Sequence, residues 1–140
     1  MLIRRDLLDG RCPEGIEIVQ LSHEGGAPFS HIYMEAQIFT PDSKRLVLHN
    51  YTDSHGENYR DPRHQYFLCD LEDAGKLTPL TEEANVTAPV ISPDGQFFYY
   101  FVNDTDKPEG RLTLKRRRLT GGKAETVAVV DGTLPGTRLR

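Results

Sequence analysis

Cysteine is scarce in this chain: Cys12 and Cys69 are the only two in 140 residues. They are too few and too far apart for a disulfide framework or a zinc site. Long apolar runs are also missing, and nothing approaches the ~20 residues a membrane-spanning helix requires. Met1-Leu-Ile-Arg-Arg-Asp lacks the apolar core of a secretory leader, so the expected compartment is the cytoplasm and no membrane partner is expected. Nor is there a surplus of positive charge. The 17 basic and 21 acidic side chains give a formal net charge of −4. That balance excludes nucleic acid as the main partner, because a phosphate backbone demands a basic face. No Gly-x-Ser-x-Gly, His-Glu-x-x-His or dinucleotide fingerprint occurs. What is present, 37% hydrophobic and 27% charged residues, is the composition of a globular protein.

The informative feature is a repeat. Ile38-Phe-Thr-Pro-Asp42-Ser-Lys-Arg-Leu-Val-Leu48 returns as Val90-Ile-Ser-Pro-Asp94-Gly-Gln-Phe-Phe-Tyr-Tyr100, with the aspartates 52 positions apart. Each copy is an apolar stretch, a Thr/Ser-Pro-Asp turn and a second apolar stretch. Proline presets φ, the aspartate side chain caps the turn, and Gly or Ser tolerates the corner, so each copy reads as a β-hairpin. Asn50-Tyr-Thr-Asp53 is echoed by Asn103-Asp-Thr-Asp106, and Gly75-Lys76 by Gly122-Lys123. The echoes divide the chain into units with strands expected near 32–39, 46–51, 65–71 and 77–81, then 86–92, 97–102, 111–119 and 124–130. Ile16-Glu-Ile-Val-Gln-Leu21 alternates apolar and polar residues and reads as the outer strand of an incomplete earlier unit. No segment has helical periodicity, so the expected class is all-β.

Units of roughly 40–50 residues with four short strands are the mark of β-propeller blades. The Ser/Thr-Pro-Asp hairpin, followed by a strand ending in Asp-Leu (Phe67-Leu-Cys-Asp-Leu71), resembles the TolB-type propeller repeat. The expected organisation is a partial propeller of four-stranded antiparallel blades. Residues 1–31 form an N-terminal segment with an outer strand, 32–81 and 82–131 are two blades, and 132–140 is a tail. That makes about two and a half blades, part of a ring to be completed by remaining blades or by self-association. Within the superfamily, Val19-Gln-Leu-Ser22, His31-Ile-Tyr-Met34 and Phe39-Thr-Pro-Asp-Ser-Lys-Arg-Leu46 are most similar to the opening blades of oligogalacturonate lyases. The resemblance implies metal-assisted β-elimination of oligogalacturonides in pectin breakdown, with manganese in the full-length family. Its metal ligands come from later blades. No cofactor, metal ligand or catalytic residue is therefore carried over to this chain, which alone is expected to be inactive.

A meander of antiparallel strands sends alternate loops to opposite ends. Segments 22–31, 52–64, 82–85 and 103–110 fall at the end with the longer connections, together with His23, His31, His55 and His64. Function concentrates on irregular loops held by a rigid scaffold. The candidate ligand-binding residues are therefore His31, His55, Arg60, Arg63 and His64. Tyr33 and Glu35 join them, as first-strand residues that would line a propeller channel. The implied ligand is an acidic oligosaccharide, whose carboxylate Arg60 or Arg63 can grip with two parallel hydrogen bonds. Asp53-x-His55-x-Glu57 has ligand-type spacing, but structural zinc needs four convergent ligands, so the motif is read as a solvated polar loop. Lys115-Arg-Arg-Arg118 lies on an expected strand, where alternation lets at most two cations act together. Cys69 reads as a packed strand residue. The alternative to a lyase relative is a TolB-like module that binds a protein or sugar without chemistry.

Overall fold

A computed structural model of the chain describes residues 1–21, 28–32, 36–50 and 61–132. The described chain is all-β. Strand β1 (Leu2–Ile3) pairs with β2 (Val19–Gln20) in a short N-terminal ribbon. Strands β3 (Phe29–His31), β4 (Arg45–Asn50), β5 (Tyr66–Asp70) and β6 (Lys76–Pro79) form one antiparallel sheet in chain order. A second sheet follows in the same way from β7 (Val86–Ile91), β8 (Phe97–Asn103), β9 (Arg111–Arg118) and β10 (Glu125–Asp131). Among the described residues no helix is long and apolar enough to cross a membrane.

The two Pro-Asp hairpins repeat bond for bond. Thr40 Oγ1 donates to Asp42 at 2.6 Å, and Ser92 Oγ donates to Asp94 at 2.6 Å. Each carboxylate accepts the amide two residues on, from Lys44 at 3.1 Å and Gln96 at 3.0 Å. Each hydroxyl accepts the first amide of the next strand, from Arg45 at 3.1 Å and Phe97 at 2.9 Å. The corner residues, Ser43 (φ 58°) and Gly95 (φ 68°), are both left-handed. A short polar side chain beside proline thus satisfies the turn amides locally, the reason these residue types initiate hairpins.

The sheets face one another across a common core. Val47, Tyr66 and Leu68 of the first meet Val86, Ile91, Phe98 and Tyr100 of the second. Phe98 and Tyr100 stack with ring centroids 5.6 Å apart. Burying each such large side chain is worth about 2–3 kcal/mol. The opposite face of the first sheet holds a second cluster of Leu46, Leu48 and Cys69, against which Leu21, Phe29, Leu71 and Leu77 pack. Covered on both faces, β4 reads as the unbroken apolar run Leu46-Val47-Leu48.

Two expectations shift. The first strand of the first sheet was expected at 32–39 but is Phe29–His31, which pairs with Leu48–Asn50. Beyond it, among the described residues, only Phe39 bridges back to Leu46. Between those two pairings β4 offers Val47 alone, whose amide donates to the Ile38 carbonyl at 2.9 Å. In the second sheet the same strand is interrupted only between Thr87 and Val90, with Ala88 left-handed at φ 49°. Alternation marks which residues can pair but not how many oppose one partner. Similarly, only Val19–Gln20 of the 16–21 alternation is strand, and its partner is β1. That ribbon is tied down by the Met1 amino group donating to the Ala74 carbonyl at 2.8 Å. Two residues at the chain start carry no period from which a strand could be read.

Candidate ligand-binding end of the first sheet

The antiparallel order places the connections after β4, β6 and β8 at one end of the sheets and the short Pro-Asp turns at the other. At the first end, β4 carries His49 and β5 carries Tyr66, directly opposite each other in the ladder. The residues entering β5 add His64. An Asx-type turn positions it: Asp61 accepts the Arg63 amide at 2.8 Å, and its carbonyl accepts the His64 amide at 2.8 Å. His49 and His64 meet edge to face with centroids 5.3 Å apart, and Tyr66 lies 5.3 Å from His64. The Tyr66 hydroxyl approaches His64 Nε2 at 3.5 Å. His64 is buried, and its Nδ1 has no hydrogen-bond partner among the described residues.

Burial governs the protonation of this group. It pushes His49 down to about 4, aided by the neighbouring His64 and His31 and opposed by a hydrogen bond to the His31 backbone. Burial lowers His64 as well, against the attraction of Asp61. Burial alone raises Tyr66. At neutral pH the cluster therefore offers uncharged imidazoles and a phenol, groups that exchange hydrogen bonds with hydroxyls without demanding a counter-charge.

Of the residues singled out in the sequence, His31 closes β3 and is exposed. Its Nδ1 lies 2.7 Å from the Ile32 carbonyl. A carbonyl only accepts, so Nδ1 donates in this contact. Arg63 is exposed, and its guanidinium already forks onto Asp61 at 3.0 and 2.8 Å. His64 is the buried residue just described. Tyr33, Glu35, His55 and Arg60 lie outside the described residues. The structure thus brings His64 beside His49, which the strand pattern marks as a strand residue and nothing more. The available signal is the step from Val47 to His49, which puts both on the sheet face that looks into the core.

A second polar cluster lies where the chain crosses between the sheets. Glu83 accepts from the Tyr100 hydroxyl at 3.0 Å and pairs with Lys115. Burial raises Glu83, but these two partners and backbone amides more than offset it and hold the carboxyl below its usual range. Beside it, a cavity of about 340 Å³ is lined by Leu80, Glu83, Tyr100, Arg117 and Lys123 among others. Arg117 is tethered there by the Leu80 carbonyl at 3.3 Å. The basic run of β9 is accordingly split. Lys115 and Arg117 face the first sheet, while Arg116 and Arg118 lie over the Phe97 ring at 4.8 and 4.7 Å. Among the described residues no group of three or more His, Cys, Asp or Glu side chains is placed to hold a metal ion.

No family model matches the chain, and neither a curated protein nor a solved structure matches it.

Proposed function

We propose that the two four-stranded sheets are consecutive blades of a TolB-type β-propeller related to oligogalacturonate lyases, and that this chain binds an acidic oligosaccharide. One observation carries the reading: the two Pro-Asp hairpins share their side-chain and main-chain hydrogen bonds at a spacing of 52 residues, and the sheets they start stack face to face. Consecutive four-stranded meanders at that interval are what propeller blades are made of. The two free thiols, Cys12 and Cys69, suit the reducing cytoplasmic setting that belongs to the same proposal.

The binding end would be the histidine end of the first sheet. The exposed His31 ring can exchange a hydrogen bond with a sugar hydroxyl through Nε2, and the exposed Arg63 fork can exchange the Asp61 carboxylate for a uronate. Manganese, which the lyase family would bring, is expected to be held by later blades and not by this chain. Among the described residues no group of three or more ligand-type side chains is placed to hold a metal ion, so no step of β-elimination is assigned here. Titration of digalacturonate into the isotope-labelled protein should shift the amide resonances of His31, His49 and Arg63, while a neutral digalactoside should not. Ultraviolet absorbance of unsaturated uronate should stay flat with or without added manganese. Absence of shifts at millimolar sugar would refute the binding role, and turnover would return the lyase chemistry to this chain.

A further inference from the structure

The cavity between the Glu82-Glu83 crossing and the β9–β10 turn is lined by cations whose donors the fold leaves largely unused. Its volume, about 340 Å³, is at the small end of ligand pockets, which span about 300–1,000 Å³. Arg117 reaches it from β9 with a side chain only 16% exposed. Among the described residues its one hydrogen bond runs to the Leu80 carbonyl at 3.3 Å, and Glu82 stands off at 3.9 Å. A guanidinium has five N–H donors, so most of them still lack an acceptor. Lys123 lines the same cavity and makes no hydrogen bond or ion pair among the described residues.

The turn that carries Lys123 is open to a ligand along its main chain as well. Gly122 is left-handed at φ 99°, and a Cβ there would meet nothing within 4 Å. The Gly122 and Lys123 amides donate no main-chain hydrogen bond among the described residues. Charge then selects the ligand. Two acids line the cavity. Glu83 is balanced by Lys115, and the Glu82 side chain is 84% exposed, free to turn into solvent. Arg117 and Lys123 against Glu82 leave one positive charge, which a single carboxylate balances and a phosphate dianion exceeds. Glu83 Oε1, which accepts from Lys115, keeps a second lone pair for a hydroxyl. Leu80 and Ala124 supply an apolar wall. We propose that this cavity binds a hydroxy acid of monosaccharide size, its carboxylate between Arg117 and Lys123 and a hydroxyl on Glu83. The site is separate from the histidine end and does not rest on the propeller reading.

Titration of sodium glucuronate into the isotope-labelled full chain should shift the Gly122 and Lys123 amides and the Arg117 Nε–H, saturating at millimolar acid. Glucose, and sodium chloride at the same ionic strength, should leave them in place, and inorganic phosphate should bind more weakly. Lys123→Gln should weaken glucuronate roughly tenfold, the loss of one charge-assisted hydrogen bond. Glu82→Gln should tighten it several-fold, because the competing carboxylate is gone; a purely structural role for Glu82 would not produce that gain. Both side chains are exposed, so both variants should melt as the wild type does. Shifts that are absent, that chloride reproduces, or that Lys123→Gln leaves unchanged would overturn the site. Phosphate binding as tightly as glucuronate or tighter would overturn the choice of a single carboxylate. The digalacturonate titration is read at His31, His49 and Arg63, so the two readings fail separately.

Discussion

His49 and His64 hold their imidazoles edge to face, 5.3 Å between centroids, one from the middle of the first sheet and one from the turn that enters its third strand. Neither ring can be charged without cost: burial, then the neighbouring imidazoles, depress His49 from 6.5 to about 4. An unfolded chain takes up these protons near pH 6.5, before the folded one does. Stability is therefore full above that pH and is lost as pH falls from 6.5 towards 4, by an amount on the order of 2–3 kcal/mol. Urea midpoints between pH 7.5 and 4.5 should fall accordingly, and His49→Gln should flatten the profile. An unchanged slope in the variant would show that another group controls it.

The Nδ1 of His64, which has no hydrogen-bond partner among the described residues, leads to a second expectation. A buried polar atom without a partner costs about 1–3 kcal/mol relative to an apolar group of the same shape. His64→Phe should then leave stability at pH 7.5 unchanged or raised, measured by thermal melting. A loss above about 2 kcal/mol would mean that Nδ1 has a partner.

Ser43 and Gly95 occupy the same corner of the two hairpins, yet they should not be interchangeable. Both are left-handed, but a Cβ at Gly95 would lie 2.5 Å from Pro41 Cδ of the other hairpin. Gly95→Ser should cost about 1–3 kcal/mol, because backbone strain and a ring clash combine. Ser43→Gly should be neutral or stabilising by up to about 1 kcal/mol, since glycine pays no left-handed penalty. Equal effects in chemical denaturation would dismiss the close approach of the two turns.

Glu83 links Tyr100 of the second sheet to Lys115. Glu83→Gln leaves that ammonium half-buried without its counter-charge, at a cost of about 1–3 kcal/mol. The carboxyl is held below its ordinary value of 4.5, so this contribution is complete at neutral pH and is lost as pH falls below that value. The difference between wild type and variant should therefore shrink in acid, on the far side of the histidine transition.

Thiol chemistry gives the simplest check on packing. Cys69 has no exposed surface, and burial, then Asp70, raises its thiol, whereas Cys12 is partly exposed. A disulfide reagent should titrate one thiol quickly in the native protein and both after denaturation. Two fast thiols would mean that the second core cluster opens readily.

Most of the strand plan is legible in the order of residues alone. Strands β4 to β10 begin and end within a few residues of the alternation and turn signals, because proline, aspartate and glycine fix hairpin corners by local chemistry. Phe29–His31 is not, because β4 offers only Val47 between its pairings with His31 and Phe39, and an irregularity of that kind leaves no periodic trace. Of the proposed ligand-binding end, His31 and His64 can be named from their place between strands. His49 cannot, because a histidine in an apolar strand looks the same whether the turn that enters the next strand sets a leucine or another imidazole beside it.

The sequence by itself determined the all-β class, the 52-residue repeat and the hydrogen-bonded turns that start both sheets, since each is written within a few consecutive residues. Only the tertiary structure decided which faces those strands share. It set the half-buried His49 against the buried His64, gave the Arg63 fork to Asp61, and left Tyr99 outside while its counterpart Val47 went to the core. The reason is physical: turn chemistry is local, whereas burial depends on what another part of the chain sets against a face.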